Sequence, residues 1–417
     1  SAAPVGLGPQ AGDPADQERR IAAGLVAALV VTLPLAIAEP VWSSPGGADD
    51  WNRSVIVSLF DVVLVATAAW SLLHRPVWTG LLRTRLSRLA AAIYAAGVGV
   101  ALVAHPSWLG LALALRLGAG LAVVAVAGFA LRGSSTRTLV LGAVAGVGVA
   151  QAVLGMVQSA RGEAFGIQPL EFTGPLYPFG SSFAGRGGLA HPYHLAVLLL
   201  VAEGAALLGL RHASRRAPWL AALVVIAAGI GVTYTRAGLL GQLALLAVAL
   251  LARRAGPTRW AAGAVALGLL LGGVAFGDGW TAKADATTDV DANPTSSRAE
   301  RLREAEELVR DEPLVGVGPG RYVTAQAELG GDENLPAHNL VAHEAAELGV
   351  LGTIGLLGLL AALVRRCVRG GAWALMVALP MAGFLGLDAF PYVFPVGLAL
   401  SAVWLALVRD AADGVNP

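Results

Sequence analysis

The residues able to do chemistry in this 417-residue chain are histidines and arginines placed on two polar stretches, 161–188 and 277–345, of an otherwise apolar sequence. His191, His194, His338 and His343 lie on these stretches or on the helix starts beside them. An imidazole titrates near pH 6.5 or so when unperturbed, which suits it to take a proton from a hydroxyl. His338 is the best placed, because Pro336 fixes the approach of the chain and Asn339 can orient its neighbours by hydrogen bonds. Each of the four could equally be a satisfied polar side chain. Of the arginines on the same side, Arg301, Arg303 and Arg310 are expected to pair with Glu300, Glu304, Glu306 and Glu307 along one helix. Arg186, Arg236 and Arg298 have less local competition, and a guanidinium fork matches the oxygens of a diphosphate. Gly185, Gly187 and Gly188 would let the backbone around Arg186 approach a ligand closely.

Other chemistries find less support. His338, His343 and Glu344 lack the two-histidine spacing of a metalloprotease zinc site. Asp289 and Asp291 read as solvated charge. The glycines at 316–320 are not followed by the Gly-Lys-Ser/Thr of a nucleotide-binding loop. No metal or other cofactor and no nucleic-acid partner is expected. Cys367 is the single cysteine, so no disulfide can form within the chain.

The elements that must hold these residues are apolar helices. Hydrophobic residues make up 56% of the chain and charged ones only 14%, against about a quarter in soluble domains, so lipid is the expected solvent. A spanning helix needs about 20 mainly apolar residues. Runs of that kind predict an all-α, polytopic integral membrane protein with about 12 transmembrane helices, over 21–38, 54–73, 86–104, 108–131, 138–160, 189–210, 218–234, 237–252, 259–276, 346–364, 370–387 and 391–408. Arginines gather on alternate connections, as at Arg75, Arg83, Arg85 and Arg88, then Arg132 and Arg137, and later Arg365, Arg366 and Arg369. The positive-inside bias then places both termini in the cytoplasm and both long polar stretches outside. Residues 1–20 read as a disordered cytoplasmic tail, and 409–417 as a second tail.

Segment 277–345 carries fourteen Asp and Glu against six Lys and Arg, so its average field repels anions, and placed arginines must do any anion binding. Within it, 277–296 reads as irregular and mobile. Ser297 and Glu300 form a capping-box pattern opening an amphipathic helix to about Arg310, with Arg298 in its first turn near free N–H groups. A glycine turn at 316–320 and a short helix to Leu329 follow, and Leu340 to Gly349 is expected to return the chain to the bilayer. Asp61, Arg116, Glu203 and Glu347 fall within predicted spans, with Asp388 at a helix end. Interior pairing is the simplest reading of them, and Arg116 could also meet a lipid diphosphate.

His338-Asn339, nine residues, then Gly349-Val-Leu-Gly352-Thr353 resembles the His-Asn-x9-Gly-x-x-Gly-Thr signature of the O-antigen ligase and O-antigen polymerase superfamily. Gly185-Arg186 with Gly188 to Ala196 is similar to that family's Arg…Gly…Asn-Pro-Asn…Leu-Ala stretch, with His191-Pro-Tyr-His194 in place of Asn-Pro-Asn. Thr233-Tyr-Thr-Arg236 is similar to its Ser-x-Ser-Arg. Ser297-Arg298 leading to Glu312-Pro313-Leu-Val-Gly316-Val-Gly-Pro-Gly320 is close to its loop pattern. The resemblance covers about 185 to 355.

It implies a metal-independent membrane glycosyltransferase of the C type in the plasma (inner) membrane, with its active site on the periplasmic or external face. Such an enzyme moves a glycan from a polyprenyl (undecaprenyl) diphosphate to a hydroxyl of a glycan, lipid or protein acceptor, in the building of cell-envelope polysaccharide or lipopolysaccharide. Carried over by position, His338 would be the base or acceptor-positioning residue. Arg186 and Arg298 would hold the diphosphate, with Arg236 beside them and Asn339, His191, His194 and Tyr193 in support. A polymerase of the same superfamily is the nearest alternative. A transporter or flippase of lipid-linked saccharide is the alternative of another class.

Overall fold

A computed structural model describes residues 14–35, 38–43, 54–168, 170–171, 175–252, 256–286, 294–329, 336–387 and 395–413. Thirteen helices are present among them: α1 (Pro14–Thr32), α2 (Leu59–Leu73), α3 (Arg85–Ala104), α4 (Trp108–Ala130), α5 (Ser134–Arg161), α6 (Pro192–His212), α7 (Ala217–Gly231), α8 (Arg236–Leu251), α9 (Pro257–Ala286), α10 (Pro294–Asp311), α11 (Tyr322–Glu328), α12 (Leu340–Leu387) and α13 (Pro395–Asp413). Two short antiparallel hairpins depart from the all-α expectation: β1 (Ala38–Ser43) with β2 (Ser54–Ser58), and β3 (Tyr177–Phe179) with β4 (Ser182–Ala184). Both lie in connections between helices, where unpaired backbone groups satisfy one another.

α6 is the central post. It is apolar on every side and buried from Leu195 to Leu210, as expected of a helix surrounded by others. α5, α7, α12 and α13 pack around it. The outside of the bundle is apolar as well: Val103, Val274 and Leu73 are more than three-quarters exposed. Seven helices are long and apolar enough to cross a membrane among the described residues, and the chain is a multi-pass membrane protein.

α12 is three helices joined by reversals. Gly371 (φ 66°, ψ −158°) turns the chain back, since Gly370 lies against Ala412 at the end of α13 while Phe384 meets Tyr193 at the start of α6. Gly349 (φ 61°, ψ −160°) does the same earlier. Glu344 accepts hydrogen bonds from the Tyr94 hydroxyl at 2.9 and 3.1 Å, and a side chain at Gly355 would strike the backbone of the same Tyr94. A straight helix would hold residues 344 and 355 about 16 Å apart, so 340–348 folds back along 350–360. Leu340 to Gly349 is therefore a separate segment and not the first part of one straight helix with 350–370.

Further differences concern helix limits. Residues 14–20, expected in a disordered tail, are helical because α1 begins at Pro14. α9 runs on to Ala286 past a break at Phe276, where 277–296 was expected to be irregular. α10 begins at Pro294, so Ser297 is inside the helix and not its cap, and Arg298 lies beyond the four free N–H groups of its start. Residues 1–13, Arg53, Asp289, Asp291 and Asp388 lie outside the described residues.

The charges within the apolar helices are paired. Arg116 sits 3.2 Å from Asp61 and also donates to the Ile56 carbonyl, and Asp61 accepts from the Ser58 amide and hydroxyl at 2.8 and 2.6 Å. This engagement leaves little support for Arg116 as a diphosphate ligand. Glu203 accepts from Gln242 at 2.6 Å.

Candidate active site

The site is built from four chain-distant segments at one end of the bundle. The first is the glycine loop 185–188. Its backbone is fixed by two glutamines of α5, seven residues apart and hence on one helix face. The Gln158 oxygen accepts from the Arg186 and Gly187 amides at 3.1 and 2.9 Å, and the Gln151 oxygen accepts from Gly188 at 2.7 Å. Gly185 lies so close to α5 that a Cβ would stand 2.3 Å from the Gly155 oxygen. Arg186 is thus positioned by its main chain. Its buried guanidinium donates to the Pro175 carbonyl at 3.5 Å, and its pKa is pushed down by burial and partly restored by Glu171 and Tyr177.

The second segment starts α6. His191 is its N-cap: Nδ1 accepts from the Tyr193 amide at 3.0 Å, with Pro192 in the first turn. The histidine performs the capping that an asparagine performs at such a position, and a neutral ring accepting at Nδ1 carries its proton on Nε2. His194 follows, its ring centroid 5.9 Å from that of His191.

The third is the turn 232–235 between α7 and α8. Tyr234 is the one non-glycine residue with positive φ (49°) among the described residues, a conformation that costs energy and is held here by packing against Phe179 and Trp280. Thr233 and Thr235 hydrogen-bond each other at 2.8 Å. Arg236 opens α8 and is exposed.

The fourth comprises the end of α9 and the start of α10. Lys283, the single lysine of the chain, donates to the Tyr234 carbonyl and lies 4.7 Å over the Phe179 ring. Arg298 donates to the Tyr193 hydroxyl at 3.2 Å.

The α6 start, the 232–235 turn and the end of α9, together with β3, line a cavity of about 180 Å³ with Tyr177, Phe179, His191, Pro192, Tyr193, Thr233, Thr235 and Lys283. Burial, then Arg236 and Arg298, lower the Lys283 ammonium to about 8. Lys283 therefore stands on the wall of an aromatic pocket with Arg236 and Arg298 near enough to depress it, an arrangement that favours an anion. Lys283 is charged below about pH 8 and loses its charge above it. The KM for a phosphate-bearing donor should accordingly rise as the pH passes from 7 to 9, and Lys283→Arg should flatten that rise. Initial rates across this range check it; an unchanged wild-type KM would remove Lys283 from the binding of phosphate.

His338 is not among the residues lining the cavity. Asn339 caps the first segment of α12, its side-chain oxygen accepting from the Ala342 amide at 3.0 Å, and His338 directly precedes that cap, half-buried. Ala337 is buried in a small core with Ala305 of α10 and Tyr322 of α11. Arg298 is seven residues, or about 10 Å, up α10 from Ala305, so α10 links His338 to the pocket. His343 turns away from this point, pairing with Glu347 at 3.5 Å and stacking on Tyr322. Burial raises Glu344 well above the carboxylate range, against the Tyr94 hydrogen bond, and Glu347 adds to the shift. No group of three His, Cys, Asp or Glu residues is arranged to hold a metal ion among the described residues.

The glycine turn 316–320 has an internal anion. Glu347 accepts from the Gly320 and Tyr322 amides at 2.8 and 3.0 Å. Gly318 and Val317 donate to the carbonyls of Glu347 and Ala346. A loop of this shape could suit a phosphate, but its amides serve to dock the α11 start on the Gly349 reversal.

Sequence reasoning missed Lys283, which lay in a stretch read as irregular. It also missed Gln151 and Gln158, although two polar residues seven apart in an apolar helix were a usable signal. The fold and site define a polytopic membrane protein with a cationic, aromatic pocket at one end of its helices. Residues 221–357 match the family described as O-antigen ligase, which supports the resemblance to that superfamily over this third of the chain. The match contains the turn 232–235, Lys283, Arg298 and His338. Comparison with curated proteins gives no match.

Proposed function

We propose that the chain is a glycosyltransferase that moves a glycan from a polyprenyl diphosphate, such as undecaprenyl diphosphate, to an acceptor hydroxyl on the external face of the plasma membrane. The observation that carries this reading is a pocket walled by Lys283 and the α7–α8 turn, with Arg298 bonded to Tyr193 of its wall and Arg236 near enough to depress Lys283. Lys283, both arginines and the turn lie in the O-antigen ligase segment. The pocket takes the diphosphate, with Arg186 behind Tyr177 adding positive potential, and His191 and Tyr193 shape its wall. The leaving diphosphate gains negative charge as the glycosidic bond breaks, and fixed cations stabilise that charge without a metal ion. His338, next to Ala337 in the small core shared with Ala305 of α10, takes or orients the proton of the incoming hydroxyl. Direct displacement inverts the anomeric centre.

The same reading gives twelve crossings. α1 to α9 supply nine, and the 350–370 and 372–387 parts of α12 with α13 supply three. Both termini then lie in the cytoplasm, and the pocket faces outside.

Transfer by the reconstituted protein from a polyprenyl-diphosphate glycan is the test, with the product identified by mass spectrometry. His338→Ala should lower kcat by roughly 10²–10⁴-fold with little change in donor affinity. Full turnover by that variant would end its assignment as base, and absence of any glycan transfer by the wild-type protein with native lipid extracts would end the proposal.

A further inference from the structure

α6 runs about 30 Å from the pocket to Arg211 and His212. At that opposite end, four segments far apart in the chain bring arginines together. Arg83 follows the single 3-10 turn Arg75–Trp78, Arg132 follows α4, Arg366 precedes the Gly371 reversal, and Arg409 ends α13. Arg83 and Arg366 both reach Asp413, the former at 3.4 Å. Arg409 donates to the Gly80 carbonyl at 2.9 Å, and Arg132 to the Thr79 hydroxyl at 3.2 Å and to its carbonyl. Arg83 and Arg366 thus share Asp413, while Arg132 and Arg409 are held beside them on the Thr79 and Gly80 backbone.

Burial and mutual repulsion both disfavour their charged forms. Burial and then Arg83 lower Arg132, while burial and then Arg366 lower Arg409 to about 10, with Arg83 and Arg132 adding to that shift. The Nε–H groups of Arg366 and Arg409 are buried and donate to no atom of the described structure. Asp410, on the adjoining face, is already taken by Arg137 at 3.4 Å and His212 at 3.7 Å. Topological bias alone asks only that arginines lie on this side; it does not ask that helices converge to press four of them together.

We propose that this cluster binds the phosphate group of an anionic membrane lipid at the end of the bundle opposite the pocket. The phosphate oxygens bridge Arg132, Arg366 and Arg409, which have unspent donors or a solvent-facing edge, and supply the missing negative charge. Exposed apolar side chains flank two of the contributing segments and suit the acyl chains: Leu72 and Leu73 at the end of α2, before Arg83, and Val364 and Val368 around Arg366 are each more than 60% exposed. That flank favours a lipid over free phosphate.

The experiment uses the full chain, delipidated in detergent, with thermal unfolding read against added phosphatidylglycerol, phosphatidylcholine or inorganic phosphate. Phosphatidylglycerol alone should raise Tm saturably. Arg132→Gln and Arg366→Gln should each shift half-saturation upward by roughly fivefold. Asp413→Asn removes the competing carboxylate and should shift it downward by a similar factor, a gain that general weakening of the fold cannot produce. Equal stabilisation by phosphatidylcholine, an unchanged half-saturation in all three variants, or weaker binding by Asp413→Asn would overturn the proposal. Equal stabilisation by inorganic phosphate at the same concentration would overturn the lipid as its source.

Discussion

Replacing Arg298 with alanine is expected to lower kcat for transfer from a polyprenyl-diphosphate donor by about 10²–10³-fold, the loss seen when one fixed donor to developing negative charge is removed. Arg298 is the cation whose guanidinium is aimed by a side chain of the pocket wall, through its hydrogen bond to Tyr193. Tyr193→Phe keeps the cation and the ring but loses that hydrogen bond, so it should cost about tenfold or less. Initial rates in proteoliposomes at saturating donor distinguish the two. Turnover by Arg298→Ala within about twofold of the wild type would place the leaving group elsewhere.

Gly349→Ala is expected to cost the most in stability. Its φ of 61° with ψ of −160° is a conformation that in practice only glycine adopts, with a penalty of about 1–3 kcal/mol for other residues. A Cβ there would also stand 2.4 Å from the Leu314 oxygen, a backbone atom that cannot swing aside. The reversal would open, carrying Asn339 and His338 with it, and transfer should fall together with Tm. Gly383→Ala is the control, since a Cβ at Gly383 meets nothing within 4 Å. In a helix this exchange should be neutral or gain up to about 1 kcal/mol. A Gly349→Ala protein with wild-type Tm would show that the reversal does not need glycine.

The positions of the apolar helices were legible because a membrane-facing run is long and uninterrupted, and α3 to α8 begin and end within a few residues of the predicted limits. Their partners were not, because pairing such as Arg116 with Asp61 is 55 residues apart and leaves no local trace. Fold-back at Gly349 was hidden for a different reason. A glycine in an apolar run reads as a packing residue, and only φ distinguishes a reversal from a kink. The capping role assigned to Ser297 failed because Pro294 is also a favoured helix start and came first. At the site, the family motifs pointed to Thr233 and Thr235, which line the pocket, and to Arg298, which bonds Tyr193 of its wall. Lys283 escaped because it follows a glycine-rich stretch whose low helix propensity is overridden by packing of Trp280 and Tyr234. The distance between His338 and the pocket is a property of α10's length, and no spacing in the motif encodes it.

The reversal at Gly349 also bears on how the chain is inserted during synthesis. A hydropathy scan sees one apolar stretch from Leu340 to Phe384, and threading it from its first residue would carry Glu344 and Glu347 into hydrocarbon. Each carboxylate at the bilayer centre would cost about 2.5–3.5 kcal/mol. With a hinge at residue 349, both carboxylates are instead received by protein groups, Glu344 by the Tyr94 hydroxyl of α3 and Glu347 by the Gly320 and Tyr322 amides. The glycine thereby decides whether the acidic segment and the apolar run after it are treated as one helix or as two, each with its own surroundings.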